Sequence, residues 1–343
     1  DKIVRFSDKP RHQLFLEPEG LDTNIIYLNG FSTSLPADVQ FAALHKIKGL
    51  ENVEMLRPGY AVEYDYFPPY QVDLTLETKK IKGLYFAGQV NGTSGYEEAA
   101  AQGLIAGINA ALKIQNKPEF VLKRSESYIG VLVDDLVGKS TEEPYRMFTS
   151  RAEHRLLLRQ DNSDRRLMEY GYSFGLVDEE IYKEFKVREV LITKSKELLN
   201  KVKIQPNRYN SIVDENNKIE FSEAISKLVK RPDANLKDLL LLVEDDTNEV
   251  LNELKENDTV VEQVEIELKY EGYIKRQQEI IERFEKLENV QIPVNLDYKK
   301  LNAISTEGRE KLNKVKPRSI GQASRISGVT PSDISALLIY LKN

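Results

Sequence analysis

GLYFAGQVNGTSGYEEAAAQGLIAGINAAL, residues 83–112, is the stretch whose reading decides the fold. Gly83-Leu84-Tyr85-Phe86-Ala87-Gly88 reads as a buried strand running into a turn, and a helix rich in Ala and Gly is predicted from about Gly95 to Leu112. In this order of strand, glycine turn and helix, the free backbone N–H groups at the helix start point at a ligand and favour negative charge, while small residues permit close packing. An ordinary buried helix of an α/β domain would show the same pattern, so both readings stay open at this level.

Upstream, QLFLE at 13–17 and NIIYL at 24–28 are short apolar runs separated by Pro18, Gly20 and Asp22, which predicts a pair of strands. DVQFAALHKI, after Pro36, has helical spacing with proline at the first turn. The Tyr-rich RPGYAVEYDYFPPYQVDLTLET, residues 57–78, favours extended structure. Downstream of Asn116-Lys117-Pro118, glycines and short strands give way to long amphipathic segments, which sets a domain boundary there and predicts a mainly helical second domain. Asp178 caps one helix, Asp258 opens another, and both have acidic first turns. Gly272 inside the second implies a close helix contact or a kink, and the basic and acidic residues around it read as a solvated face. Two short helices, Ser319–Ile326 and Ser332–Leu341, form a terminal helical subdomain (319–343) around a Gly turn.

Composition limits the chemistry. The 343 residues are 41% hydrophobic and 30% charged, enough for a buried core and two domains or more. There is no cysteine, so disulfides, thiolate metal sites and thiol nucleophiles are excluded from this chain, and the three histidines lack metal-ligand spacing. No apolar run has the roughly 20 residues that span a membrane, and a reducing cytoplasmic setting is expected. The net charge of −6 gives no global attraction to nucleic acid, so any RNA contact must be local.

Such a contact has one evident candidate. EEPYRMFTSRAEHRLLLRQDNSDRRL, residues 142–167, holds Arg146, Arg151, Arg155, Arg159, Arg165 and Arg166 without a lysine, which suits bidentate contact with phosphate. The alternative for each arginine is an ordinary ion pair with Glu153, Asp161, Asp164 or Glu169. Tyr60, Tyr64, Tyr66, Phe67 and Tyr70 either line a pocket where an extruded base stacks or belong to a half-buried strand with surface hydroxyls. His154, among the arginines, either hydrogen-bonds RNA or simply sits at the surface, and the second reading is the favoured one.

Residues 83–112, with Gln89, Asn91-Gly92, Gly95-Tyr96-Glu97-Glu98 and Gln102-Gly103, closely resemble the glucose-inhibited division protein A family of transfer-RNA uridine-modifying enzymes. The resemblance continues through Arg57-Pro58-Gly59-Tyr60-Ala61-Val62-Glu63-Tyr64-Asp65, Thr149-Ser150-Arg151-Ala152-Glu153, Asp161-Asn162-Ser163-Asp164, Tyr270-Glu271-Gly272-Tyr273-Ile274 and Ser324-Arg325-Ile326-Ser327-Gly328-Val329-Thr330-Pro331. It implies an α/β remnant of a FAD-binding domain of the two-dinucleotide-binding-domain flavoprotein type (residues 1–118), followed by a mainly α-helical domain (119–343) that binds tRNA and a partner. It further implies a FAD- and NADH-dependent homodimeric enzyme of the cytoplasm. With a GTPase partner, and methylenetetrahydrofolate as one-carbon donor, such an enzyme adds an aminomethyl or carboxymethylaminomethyl group to C5 of the wobble uridine.

Carried over by motif, Gln89 contacts FAD, with Asn91, Gly92, Thr93 and Gly95 beside it, and Asp1, Lys2, Ile3, Val4, Arg5 and Phe6 lie near the nicotinamide cofactor. Arg146 and Arg155, then Arg151 and Arg159, contact tRNA, and the terminal helices dock the GTPase unless they are a plain capping subdomain. No catalytic base or nucleophile is identified. The family's Gly-x-Gly-x-x-Gly fingerprint is absent from the sequence, and the chain opens with Asp1 inside what reads as a domain. The chain is therefore expected to be a fragment that alone binds FAD poorly and lacks activity. Two other readings remain: a tRNA- and partner-binding fragment without catalysis, and a flavin reductase unrelated to RNA.

Overall fold

A computed structural model of the chain describes residues 6–61, 63–139, 143–243 and 247–342. Contacts separate a first unit ending at Asp65 from a second running from Tyr66 to Asn343. In the first unit, β1 (Phe15–Pro18) and β2 (Ile26–Asn29) pair antiparallel with Phe15 opposite Asn29 and Pro18 opposite Ile26. The ribbon lies about two residues later than the spacing predicted, and most of its side chains are exposed. Helix α1 (Ala37–Leu44) follows Pro36, and its buried Gln40 exchanges hydrogen bonds with the backbone of Gly59 at 2.8 and 2.9 Å, clamping the Arg57–Tyr60 turn to the helix.

The second unit opens irregularly. The Tyr-rich segment makes a single 3₁₀ turn at Pro69–Gln71 instead of a strand. The strand expected at 83–88 is also not formed. Tyr85 makes one isolated bridge to Glu77, held by hydrogen bonds from Thr78 N to Leu84 O and from Phe86 N to Leu76 O. A strand needs a continuous partner ladder, and the turn between these segments leaves room for one pair of bonds only.

Helix α2 (Tyr96–Ile114) and helix α3 (Tyr128–Gly138) supply much of a core that joins Val72, Leu76, Ile105 and Leu112 to Phe120, Val133 and Val137. Packing thus runs across Pro118, and the Asn109 amide seals it by pairing with both backbone groups of Phe120 at 2.8 Å. The close packing expected at glycines of α2 is not there. Gly103 and Gly107 lie on the exposed face, where an added Cβ would meet nothing within 4 Å. Helix α3, YIGVLVDDLVG, is apolar nearly all round and buried from Gly130 to Gly138, as such a pattern requires.

Next come α4 (Ser163–Ser173), α5 (Glu179–Leu199), β3 (Lys203–Ile204), α6 (Pro206–Tyr209), β4 (Glu223–Ala224), α7 (Ile225–Leu228), α8 (Leu236–Leu241), α9 (Glu249–Glu256) and α10 (Asp258–Glu288). Apart from α4, they enclose a second core built on residues such as Leu199, Leu228, Leu236, Leu251 and Val264. Helices α11 (Thr306–Val315), α12 (Ile320–Ser324) and α13 (Pro331–Lys342) enclose a third, around Tyr298, Leu312 and Leu337. The expected terminal helices are present, each within one or two residues or a short turn of its predicted bounds. None of the described helices is long and apolar enough to cross a membrane.

Helix α10 opens at Asp258 as expected, and its cap is Asn257, whose side chain accepts from Val260 N at 3.1 Å. Gly272 makes no close helix contact, because a Cβ there would stand in open space. Opposite effects follow for two substitutions in one helix. Asn257→Ala is expected to destabilise by about 1 kcal/mol through loss of the cap. Gly272→Ala should stabilise by about 0.5–1 kcal/mol through chain entropy. Urea denaturation followed by circular dichroism measures both.

Candidate functional site

The glycine turn is built backbone first. Gly88–Asn91 forms a 3₁₀ turn, with Gly88 and Gly92 at φ 76° and 88°, values that glycine adopts without strain. Gly95 caps α2 with no side-chain bond of its own. Its neighbour Glu98, three residues on, folds back over the helix start, so that a Cβ on Gly95 would lie 1.8 Å from Glu98 Oε2. The positive end of this helix is therefore already faced by a buried carboxylate.

Below the turn the polar side chains pair inward. Asn91 donates to Gln102 at 2.9 Å and Gln102 donates to Thr93 at 2.8 Å, all three being buried. Of the turn residues singled out for FAD, Asn91 and Thr93 are thus turned into the protein, Gly92 and Gly95 are buried backbone, and Gln89 is exposed. Phe6 is exposed in the first unit, while Asp1, Lys2, Ile3, Val4 and Arg5, together with Val62 and Glu142 of the quoted motifs, lie outside the described residues.

The arginine segment lies directly on this turn. Tyr145 N donates to Gly92 O at 2.8 Å, Thr93 and Tyr145 form a parallel bridge, and Met147 N donates to Glu98 Oε1 at 2.9 Å. Arg146, between them, is exposed and stands 3.5 Å from Glu98. Arg155 is exposed and has no ion pair or hydrogen bond among the described residues. Arg151 is half-buried, its guanidinium 4.5 Å from the centre of the Tyr145 ring. Arg159 chelates Asp161 at 3.0 Å and donates to Leu156 O.

The other two arginines of the segment are internal struts. Arg165 pairs with Glu189 and Glu267, and Arg166 donates to Asn162 and to the carbonyls of Glu126 and Arg159. Asp164 pairs with Arg188 and Glu169 with Lys186, so the partners differ from the local ones that spacing suggested. His154 is also not a surface residue. It is 8% exposed, and burial pushes its imidazole below the ordinary histidine range.

The aromatics divide. Tyr60 and Tyr64 are exposed in the first unit; in the second, Phe67 packs on Phe86 at 4.9 Å and the Tyr70 ring carries Lys314 at 4.5 Å.

Beneath the segment lies a group of residues not singled out above. Asp135 of α3 accepts from Tyr145 Oη at 2.9 Å, from Arg124 at 2.7 Å and from Lys139 at 2.8 Å. Asp134 accepts from Arg124 at 3.0 Å and from Arg325 of the terminal subdomain at 2.7 and 2.9 Å. Arg124 also pairs with Glu153 at 2.6 Å. Burial alone would raise the Asp135 carboxyl, but Arg124 and Lys139 together hold it below the usual aspartate range. Burial, helped by that carboxylate, pushes the Tyr145 hydroxyl up. Two acids inside the apolar run VLVDDLV were the available signal, since charges in such a helix need partners.

These contacts define the class of chain: a mainly helical protein in which an arginine-bearing segment is bonded onto a glycine turn and helix start. The chain belongs to the MnmG/GidA family. The family model of glucose inhibited division protein A matches residues 1–118, that of the tRNA modifying enzyme MnmG/GidA C-terminal helical domain matches 179–278, and that of its C-terminal helical bundle matches 280–343. Among curated relatives, the tRNA uridine 5-carboxymethylaminomethyl modification enzyme MnmG of Christiangramia forsetii is 52% identical over 343 residues, 99% of this chain and 55% of the relative. That of Chlorobium chlorochromatii is 53% identical over 346 residues, again 99% and 55%. Aquifex aeolicus GidA in its form II crystal superposes with a TM-score of 0.81 at 48% identity, covering 100% of this chain and 54% of that one. The chain therefore spans about half the length of the relatives it matches.

Asp135→Asn is expected to destabilise the chain by about 1–3 kcal/mol, because Tyr145 and Lys139 lose their charged acceptor while Arg124 keeps Asp134 and Glu153. Tyr145→Phe, which removes one hydrogen bond to a charged acceptor, should cost about 1.5–3 kcal/mol. The sign with pH follows from the lowered carboxyl. Its contribution is complete above the unfolded aspartate pKa of about 4 and is lost as pH falls through the lower folded value. Urea midpoints measured from pH 7 down to 3 should therefore fall less steeply in Asp135→Asn.

Proposed function

We propose that this chain is the tRNA-gripping and partner-facing part of a FAD- and NADH-dependent enzyme that modifies C5 of the wobble uridine. The observation that carries the reading is the bonding of the arginine segment onto the glycine turn, through Tyr145 to Gly92 and Met147 to Glu98, which makes a polynucleotide grip and a cofactor turn one rigid piece. The curated relatives, named as tRNA uridine 5-carboxymethylaminomethyl modification enzymes, support the reaction class. Cytoplasmic location, a homodimer, methylenetetrahydrofolate as one-carbon donor and a GTPase partner at the terminal helices belong to the same proposal. We take Pro118 as the boundary between the cofactor part and the helical part, supported by the end of the first family match there.

For FAD, the exposed Gln89 amide and the turn backbone fit the edge of a neutral ring system. A phosphate is not accommodated at the α2 start, where Glu98 already stands. When bound, FAD would supply the redox chemistry and the exposed Gln89 would orient it, while Asn91, Gly92, Thr93 and Gly95 would act by holding the turn in shape. Asp1 to Phe6 remain assigned to the nicotinamide side. Isolated, the chain should bind FAD poorly and have no activity.

Arg146 and Arg155 carry the tRNA contact most directly, being exposed. Arg151 contributes from beside Tyr145, and Arg159 contributes only if it leaves Asp161. Anisotropy titrations of unmodified tRNA at several salt concentrations test this. Arg146→Gln and Arg155→Gln should each reduce the slope of log K against log salt by about 1 and weaken binding at low salt. Arg165→Gln should leave the slope unchanged. An unchanged slope in both of the first two variants would remove the proposed grip.

A further inference from the structure

A cavity of about 270 Å³ lies within the second unit, between α2, the segment 121–125, α3, the end of α10 and α12. Ile105, Ile129, Val133 and Ile281 provide aliphatic walls, and Phe284, 57% exposed, stands at its mouth. The charged residues around it are already matched: Lys123 with Glu285, Arg124 with Asp134 and Glu153, Arg325 with Asp134 and Glu288. A charged ligand would have to break one of these pairs, so none is invited. Ser125, Asn289 and His154 are the lining residues whose side chains have no hydrogen bond or ion pair among the described residues, and the histidine is the most enclosed of them. His154 lines the cavity, is 8% exposed, and its ring makes no hydrogen bond or ion pair among the described residues. The ring is therefore open to a hydrogen bond from a molecule held in the cavity.

We propose that this cavity is a binding site for one small, uncharged, planar heteroaromatic molecule that donates a hydrogen bond to His154 and lays its ring against Phe284 and the aliphatic walls. The volume admits a fused bicyclic ring and lies just below the usual range for drug-sized ligands of about 300–1,000 Å³, which excludes a nucleotide. Burial keeps the imidazole uncharged at neutral pH, leaving one ring nitrogen free to accept. The lining includes none of Gln89, Arg146 and Arg155.

Indole, N-methylindole and indole-3-carboxylate are the probes, titrated against the whole chain by saturation-transfer NMR and by the His154 ring ¹³C shift. Indole should bind and move the His154 signal; N-methylindole, which cannot donate, should bind about tenfold more weakly; the carboxylate should not compete. His154→Ala should bring the first two to equal affinity, and Ile281→Trp, which fills the cavity, should abolish binding of both. Absence of indole binding to the unaltered chain overturns the proposal, as does equal affinity for indole and N-methylindole there. Should His154→Ala fail to fold, the preference for indole and the shift of the His154 signal in the unaltered chain decide the matter.

Discussion

Two adjacent carboxylates buried on a helix are the constraint around which the second unit is organised. Asp134 and Asp135 sit in α3, where the neighbouring residues are apolar and water is excluded. An ionised acid there must be met by cations and hydrogen-bond donors on nearly every side. The chain brings those groups from remote places: Arg124 from the segment before the helix, Tyr145 from the segment after it, and Arg325 from the terminal subdomain. Each partner pins a different element, so one helix sets the position of the glycine turn, the arginine segment and the terminal bundle at once.

The same principle sorts the arginines. A guanidinium offers five donors in a fixed fork and is held wherever carboxylates or carbonyls can fill it. Arg159, Arg165 and Arg166 are filled from within and brace α4 against its neighbours. Among the described residues Arg155 has no partner, and Arg146 has one carboxylate at 3.5 Å, leaving most of the fork open. Six similar residues in one stretch therefore fall into struts and open cations, and only the open ones are suited to a polyanion.

The helix start at Gly95 shows how local chemistry can be redirected by tertiary contacts. In isolation it is an anion site. Here Glu98 lies over it, its other oxygen accepting from Met147, so the acid that completes the helix also docks the arginine segment. The turn is left to present Gln89 and backbone, while Asn91 and Thr93 spend their side chains on Gln102.

Much was legible in the residues themselves, because it depends on near neighbours. The 3.6-residue spacing of α2, α5 and α10, the terminal helix pair, the glycine turn and the family motifs are all local patterns, and the structure has the helices within about three residues of their expected bounds. The strand at 83–88 failed because a strand depends on a partner the pattern does not contain, and Gly103, Gly107 and Gly272 misled because small residues signal close packing only on a buried face. His154 and the individual arginines were beyond reach for a similar reason. Burial and pairing are properties of what lies across the fold: Glu267 lies 102 positions from Arg165, and Asp134 lies 191 positions from Arg325. The sequence by itself determined the helices, the turn and the family to which they belong. Only the tertiary structure decided which charges neutralise one another and which stay open to a ligand, since that depends on distances that chain spacing does not encode.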